Sequence, residues 1–241
     1  MGYREFPPPV HLRELVECAW VVDGPPEPVR VLPDGCMDLM RMSGRIVVAG
    51  PDTTSFVSPR GRETFAGLRF RPGALPRLLG VPAVELRNSR TLLADLGVRL
   101  TRDRSLVELT TALASDEPAA ETAPWSLAQL SHITKRLGDG ATVTEVARQA
   151  GWSSRTLQRH CTAVYGYGPA TLRRVLRFRR AVRLLDDGAS TASAAAEVGY
   201  ADQPHLHREV RDLTGMSLAT LRQDSGQKRS TDVPSGSVTV A

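Results

Sequence analysis

Ala147-Arg148-Gln149-Ala150-Gly151-Trp152-Ser153, followed by Arg155-Thr156-Leu157-Gln158-Arg159, is the stretch on which the fold turns, and its pattern recurs. The second copy is Ala195-Ala196-Glu197-Val198-Gly199-Tyr200-Ala201, followed by Gln203-Pro204-His205-Leu206-His207-Arg208. In both, small residues lead to a glycine, an aromatic follows it, and a polar segment with helical periodicity begins. Small residues ahead of a glycine turn let two helices cross closely, which is helix-turn-helix geometry. The spacing nearly repeats: Arg159 stands eight residues after Gly151, His207 eight after Gly199, and Arg208 nine after it.

Helical signals extend outward from these turns to fill the second half of the chain, in seven segments. Ser126 caps a helix from Leu127 to Leu137. Thr142-x-x-Glu145 is a capping box, in which each side chain satisfies the other end's free N–H. Ser153 caps a helix to about Val164. Pro169 sits where an N1 proline belongs, before a long helix from Ala170 to Asp186. Thr191 to Val198, Gln203 to Leu213 (capped by Asp202) and a short helix from Ser217 to about Arg222 complete the series. At 100° per residue, Arg155, Gln158, Arg159 and Thr162 share one face of the third helix, and Leu157, Cys161 and Val164 share another. Such a helix has a stripe for packing and a stripe free to enter a major groove. There Arg matches the O6 and N7 acceptors of guanine and Gln the edge of adenine. The seventeen residues of the long helix span about 25 Å, a reach that suits two recognition helices one DNA turn apart, about 34 Å.

The first half reads differently. Leu15 to Val22, Val29 to Leu32, Cys36 to Met42, Ile46 to Ala49 and Phe65 to Phe70 are short apolar runs punctuated by Asp-Gly, Pro-Asp-Gly and Ser-Gly turns. Helical patterns follow at Pro72 to Leu79 and over 103–114. Strands first and helices last predict an α+β domain with an antiparallel sheet over 1–114, joined to an all-α domain over 126–222 in which two helix-turn-helix units flank a long helix. Ser115 to Pro124, acidic and rich in Ala and Pro, reads as the linker (115–125), and 223–241, rich in Ser, Gly and Thr, as a flexible tail. Leu106, Leu109 and Leu113 recur at helical spacing, so that helix is expected to cover the sheet or to form a homodimer interface.

Charge separates the halves. The chain has 241 residues and a formal net charge of +5, but residues 1–125 carry 15 Arg and no Lys against 16 Asp and Glu, and the remainder carries 16 Lys and Arg against 10 acids. The surplus lies in the second half, pointing to a polyanionic partner there. No apolar run is long enough to span a membrane, and MGYREFPPPV lacks the apolar core of a secretory signal, so a cytoplasmic protein with no membrane partner is expected. Three widely spaced cysteines (Cys18, Cys36, Cys161) exclude a disulfide framework and a zinc knuckle. No phosphate loop, serine elbow or metal motif occurs, and no cofactor or enzymatic activity is expected. Asp34 and Asp38 read as turn chemistry, since no nucleophile accompanies them. Cys18 and Cys36 would meet if their strands were neighbours, but no basic residue adjoins either in sequence.

Residues 126–222 resemble the DNA-binding domain of the AraC/XylS family of bacterial transcription regulators. GWSSRTLQRH (151–160) resembles that family's first turn and recognition helix, Arg177 to Leu185 its linker helix, and Gly199 to Arg208 with Gly215-Met216-Ser217 its second motif. The resemblance implies a double-stranded DNA partner read in two adjacent major grooves. Ser153, Ser154, Arg155, Gln158, Arg159 and Thr162 would form one DNA face, and Asp202, Gln203, Pro204, His205 and Arg208 the other. Leu206, Val210, Cys161 and Leu218 depart from the family's usual Phe or Pro, thinning the packing of the units more than their DNA faces. The first half more loosely resembles a sensor-like domain of actinobacterial regulators, through Cys18-Ala19-Trp20, Leu32 to Leu39, Ala49-Gly50-Pro51 and Gly67 to Gly73. That implies a small-molecule effector of unspecified chemistry. The alternative is a DNA-repair alkyltransferase that borrows the same DNA-binding domain and uses a reactive cysteine.

Overall fold

The computed structural model describes residues 2–23, 28–58, 63–98 and 104–229. The first half contains β1 (Tyr3–Phe6), β2 (Val16–Val22), β3 (Val29–Val31), β4 (Met37–Met42), β5 (Arg45–Ala49), β6 (Phe56–Ser58) and β7 (Phe65–Phe70). After them come α1 (Ala74–Leu79), β8 (Arg90–Leu92) and α2 (Leu106–Ala114). Six strands form one antiparallel sheet in the order β1-β2-β7-β4-β5-β8, while β3 and β6 pair separately as a two-stranded ribbon. The five runs expected from sequence are strands within a residue of their predicted bounds. β1, β6 and β8, with only three or four residues each, offered too little alternation to stand out.

Alternation assigns the two faces of the sheet. Val16, Met37, Leu39, Val48, Leu68 and Phe70 pack with Leu75 and Leu79 of α1 and with Leu109 of α2. Cys18, Trp20, Val22 and Phe65 lie on the opposite face with Met40 and Met42. A register shift between Val16 and Cys18 allows both to be buried, one on each face. Leu109 is 3% exposed and sits within the core under the sheet. The expectation of α2 as a dimer surface centred on Leu109 is therefore corrected: that side chain is already covered by its own domain. Cys18 and Cys36 do not meet either, because β7 lies between β2 and β4.

The second half contains seven helices: α3 (Leu127–Gly138), α4 (Val143–Gln149), α5 (Ser154–Tyr165), α6 (Pro169–Asp186), α7 (Thr191–Val198), α8 (Gln203–Thr214) and α9 (Leu218–Arg229). Ser126 with Gln129 and Thr142 with Glu145 form reciprocal capping boxes. Helix α6 serves two cores. Leu172, Val175 and Leu176 pack with α3, α4 and α5, and Phe178, Ala181 and Leu185 with α7, α8 and α9. Helix α9 runs on to Arg229, seven residues past its expected end; the rest of the expected tail, residues 230–241, lies outside the described residues. Trp125, assigned to the linker from sequence, is a core residue of the helical half, stacked on Trp152 at 5.6 Å between ring centroids. Among the described residues, no helix is long and apolar enough to cross a membrane.

The halves pack on each other. Glu17 of β2 pairs with Arg179 and, at 2.9 Å, with Arg183, both on α6. The Asp34–Cys36 turn lies against Tyr167, Leu172 and Leu176. On the ribbon side, the Ser55 backbone N–H and hydroxyl donate to the carbonyls of Leu213 and Thr214 at 2.7 and 2.8 Å, at the end of α8.

Candidate nucleic-acid interface

The two repeated motifs form two equivalent turns. Gly151 (φ +70°) and Gly199 (φ +82°) take the left-handed conformation that a side chain would strain. In each case the aromatic that follows donates its N–H five residues back, Trp152 to Ala147 and Tyr200 to Ala195, both at 2.9 Å. Ser153 then caps α5 by accepting from Thr156 N–H, and Asp202 caps α8 by accepting from His205 N–H. The aromatic wedges differ. Trp152 stacks on Trp125, with His160 edge-on to both rings. Tyr200 is buried, edge-on to His205, with the Arg177 guanidinium 4.3 Å from its ring centroid.

From α5, Ser153, Ser154, Arg155, Gln158 and Arg159 are exposed, Thr162 is half-buried, and Leu157, Cys161 and Val164 are buried. Thr162 donates its hydroxyl to the Gln158 carbonyl, a bond internal to the helix. From α8, Asp202, Gln203, Pro204 and Arg208 are exposed, while Leu206, Val210 and Leu213 are buried. His205 is half-buried, its Nδ1 accepting from the Ala201 N–H at 3.3 Å, so its ring is tied to the turn. Sequence reading passed over His207 and Arg211. Both are exposed, and with Gln203, Pro204 and Arg208 they line a shallow depression running to Ser217 and Leu218. The signal was available: Arg211 follows Arg208 by three positions and His207 by four.

Electrostatics sets these helices apart from α6. Arg174 and Arg177 both pair with Glu209, which is 7% exposed, and Arg174 also reaches Asp212. Arg179 and Arg183 pair with Glu17, and Arg180 with Glu197. Five of the arginines that make the long helix look basic in sequence thus meet carboxylates of the same chain. Among the described residues, Arg155, Arg159, Arg208 and Arg211 carry no ion pair, and each is exposed. Uncompensated positive charge therefore lies on α5 and α8.

The cysteines take no part in this surface. All three are free and buried. Burial pushes the Cys18 and Cys161 thiols up to about 12 and Cys36 well above its ordinary value. Sequence proximity gave Cys36 no basic neighbour, but the fold brings Arg179 Nη1 to 3.5 Å of its sulfur, with Glu17 at 3.6 Å on the other side. Each thiol stays protonated, which leaves the alkyl-transfer alternative without an activated nucleophile among the described residues.

Residues 126–224 match the family described as Helix-turn-helix domain, and residues 4–91 match a Domain of unknown function (DUF6597). A 74-residue segment, 31% of this chain, is 27% identical to the Uncharacterized HTH-type transcriptional regulator YbfI of Bacillus subtilis (strain 168). That segment spans 27% of the length of YbfI. Among solved structures, ToxT from Vibrio cholerae O395 is similar at 10% identity and a TM-score of 0.46, over 86% of this chain and 96% of that one. A second form of ToxT from Vibrio cholerae gives 9% identity and 0.46, over 93% and 99%. The C-terminal half of this chain is an AraC-type helix-turn-helix domain, carried behind an N-terminal domain of a separate family.

Proposed function

We propose that this chain is a sequence-specific DNA-binding transcription regulator acting in the cytoplasm, whose α5 and α8 enter adjacent major grooves of double-stranded DNA. The observation that carries the reading is the contrast in charge. Two equivalent turns lead into helices with exposed, unpaired arginines, while five arginines of the connecting helix are paired with carboxylates of the same chain. Arg155, Gln158 and Arg159 supply base contacts in the first unit, and Gln203, His205 and Arg208 in the second. The helix caps Ser153 and Asp202, with Ser154, Pro204 and Thr162, border the two DNA faces.

The N-terminal domain modulates this activity through its contacts with the helices. The β3–β6 ribbon bonds the end of α8 through Ser55, and the main sheet grips α6 through Glu17. Both contacts fall on the second unit, whose core includes the stretch of α6 that carries Arg179 and Arg183, so a shift of ribbon against sheet would act on the placing of α8 against α6. Selection of bound duplexes from a random pool tests the reading. An enriched sequence with two blocks about 10 base pairs apart is expected. Absence of any enriched sequence overturns it.

A further inference from the structure

Between the cavity face of the main sheet and the β3–β6 ribbon lies a cavity of about 660 Å³. That size falls within the range of small-molecule sites. Its walls are apolar and soft, built from Trp20, Met40, Met42, Val47, Phe56 and Phe65. Gly67 is needed for this surface, because a Cβ there would come within 2.4 Å of the Trp20 ring lying across it.

The polar floor is uneven in charge. Asp34 and Asp38 stand 3.6 and 3.7 Å from Arg69 Nε, and the same guanidinium reaches Glu5 at 3.1 Å through Nη1. Three carboxylates share one cation, and Arg69 Nε closes no hydrogen bond. Asp38 Oδ1 accepts from the Trp20 indole N–H at 2.6 Å. The other guanidinium deep in the cavity, Arg90, is held by both Asp52 oxygens at 3.0 and 2.6 Å and lies over Phe56. Arg45 lies at the exposed rim. Arg69 Nε keeps a donor open at the floor, but an anionic group reaching it would stand against Asp34 and Asp38, whereas a positive group would relieve the two carboxylates of sharing one guanidinium. Burial, opposed by Arg69 and reinforced by Asp34, raises the Asp38 carboxyl to about 6.

We propose that this cavity binds a cationic amphiphile: an amine whose protonated head sits between Asp34 and Asp38 and whose aromatic or aliphatic body fills the apolar walls. A role for that amine as a signal rests on the regulatory reading above. Its binding does not, so the experiment is done without DNA and either idea can fail alone. The full chain is titrated calorimetrically with three matched sets, on phenyl, indolyl and octyl bodies, each as amine, alcohol and carboxylate. At least one amine is expected to bind roughly tenfold or more tightly than its alcohol and carboxylate partners. Asp38→Asn should erase that preference while retaining the native circular dichroism, and Met40→Trp should remove binding by filling the cavity. A carboxylate that outbinds its amine, equal binding of all three heads, or no binding of any amine up to millimolar concentration overturns the proposal. So does an amine preference that survives Asp38→Asn unchanged.

Discussion

Replacing Asp38 by Asn should make the protein more stable near neutral pH and leave it unchanged in acid. The carboxyl is 16% exposed on β4, beside Asp34 and under Trp20. Its ordinary value of 3.8 rises to about 6, chiefly because burial penalises the charged form, with Arg69 opposing and Asp34 adding to the rise. A raised carboxyl favours the folded state while it is protonated in both states, below about pH 4. That contribution is lost as pH climbs through about 6, where the folded protein must ionise a group it holds less well than the unfolded chain does. A rise of about two units corresponds to about 3 kcal/mol at neutral pH. Asn keeps the acceptor for the Trp20 N–H, so the variant removes the charge without orphaning that donor. Urea unfolding of both proteins at pH 4 and pH 7.5 measures the difference. Agreement at pH 4 and a gain of about 1–3 kcal/mol for the variant at pH 7.5 is expected. A loss at pH 7.5 would mean that Arg69 stabilises the Asp38 anion more than burial penalises it, and would refute the charge reading of the cavity floor.

Three further outcomes are expected. Glu209→Ala leaves Arg174 and Arg177 facing each other without their shared carboxylate; the cost is about 2–3 kcal/mol by thermal unfolding, below that of a fully buried pair because both arginines are partly solvated. A cost near zero would show that the pairs do not hold α8 to α6. Leu109→Glu should unfold the N-terminal domain rather than yield a folded monomer, since a charge placed in that core loses about 3–5 kcal/mol; sedimentation showing a folded monomer from a dimeric parent would restore α2 as an interface. Arg155→Ala and Arg159→Ala should each relax base preference by about 1–3 kcal/mol in a base-by-base operator scan. His205→Ala should cost less, because its ring is tied to Ala201 and Tyr200.

The helical half was legible because its signals are local. Caps at Ser126, Thr142, Ser153 and Asp202, stops at Gly151 and Gly199, and a 3.6-residue period each need only a few neighbouring residues. Ala147 and Ala195 fall where the returning N–H bonds form, so the repeat marked the geometry directly. The pairing of α6 arginines with Glu17, Glu197 and Glu209 was not legible, because the partners come from separate elements and sequence counts charges without matching them. The cavity was hidden for the same reason. Asp34 and Asp38 looked like turn chemistry, and Asp34 does accept the Cys36 N–H at 2.8 Å. Only the β7–β4 register, which sets Arg69 opposite Asp38, joins them to a guanidinium. Of the ribbon that closes the cavity, β3 was legible as Val29 to Leu32, but its partner β6 is three residues long, too short for periodicity to distinguish from loop.

On the proposed reading, α5 and α8 read DNA as a pair. Hydroxyl-radical footprinting of the full chain on its selected operator tests it most directly, repeated with Arg159→Ala and Arg208→Ala. Two protected blocks on one face of the duplex, about 10 base pairs apart, are predicted, with each variant weakening the block under its own helix. One block only, or both blocks lost equally with either variant, would contradict the account.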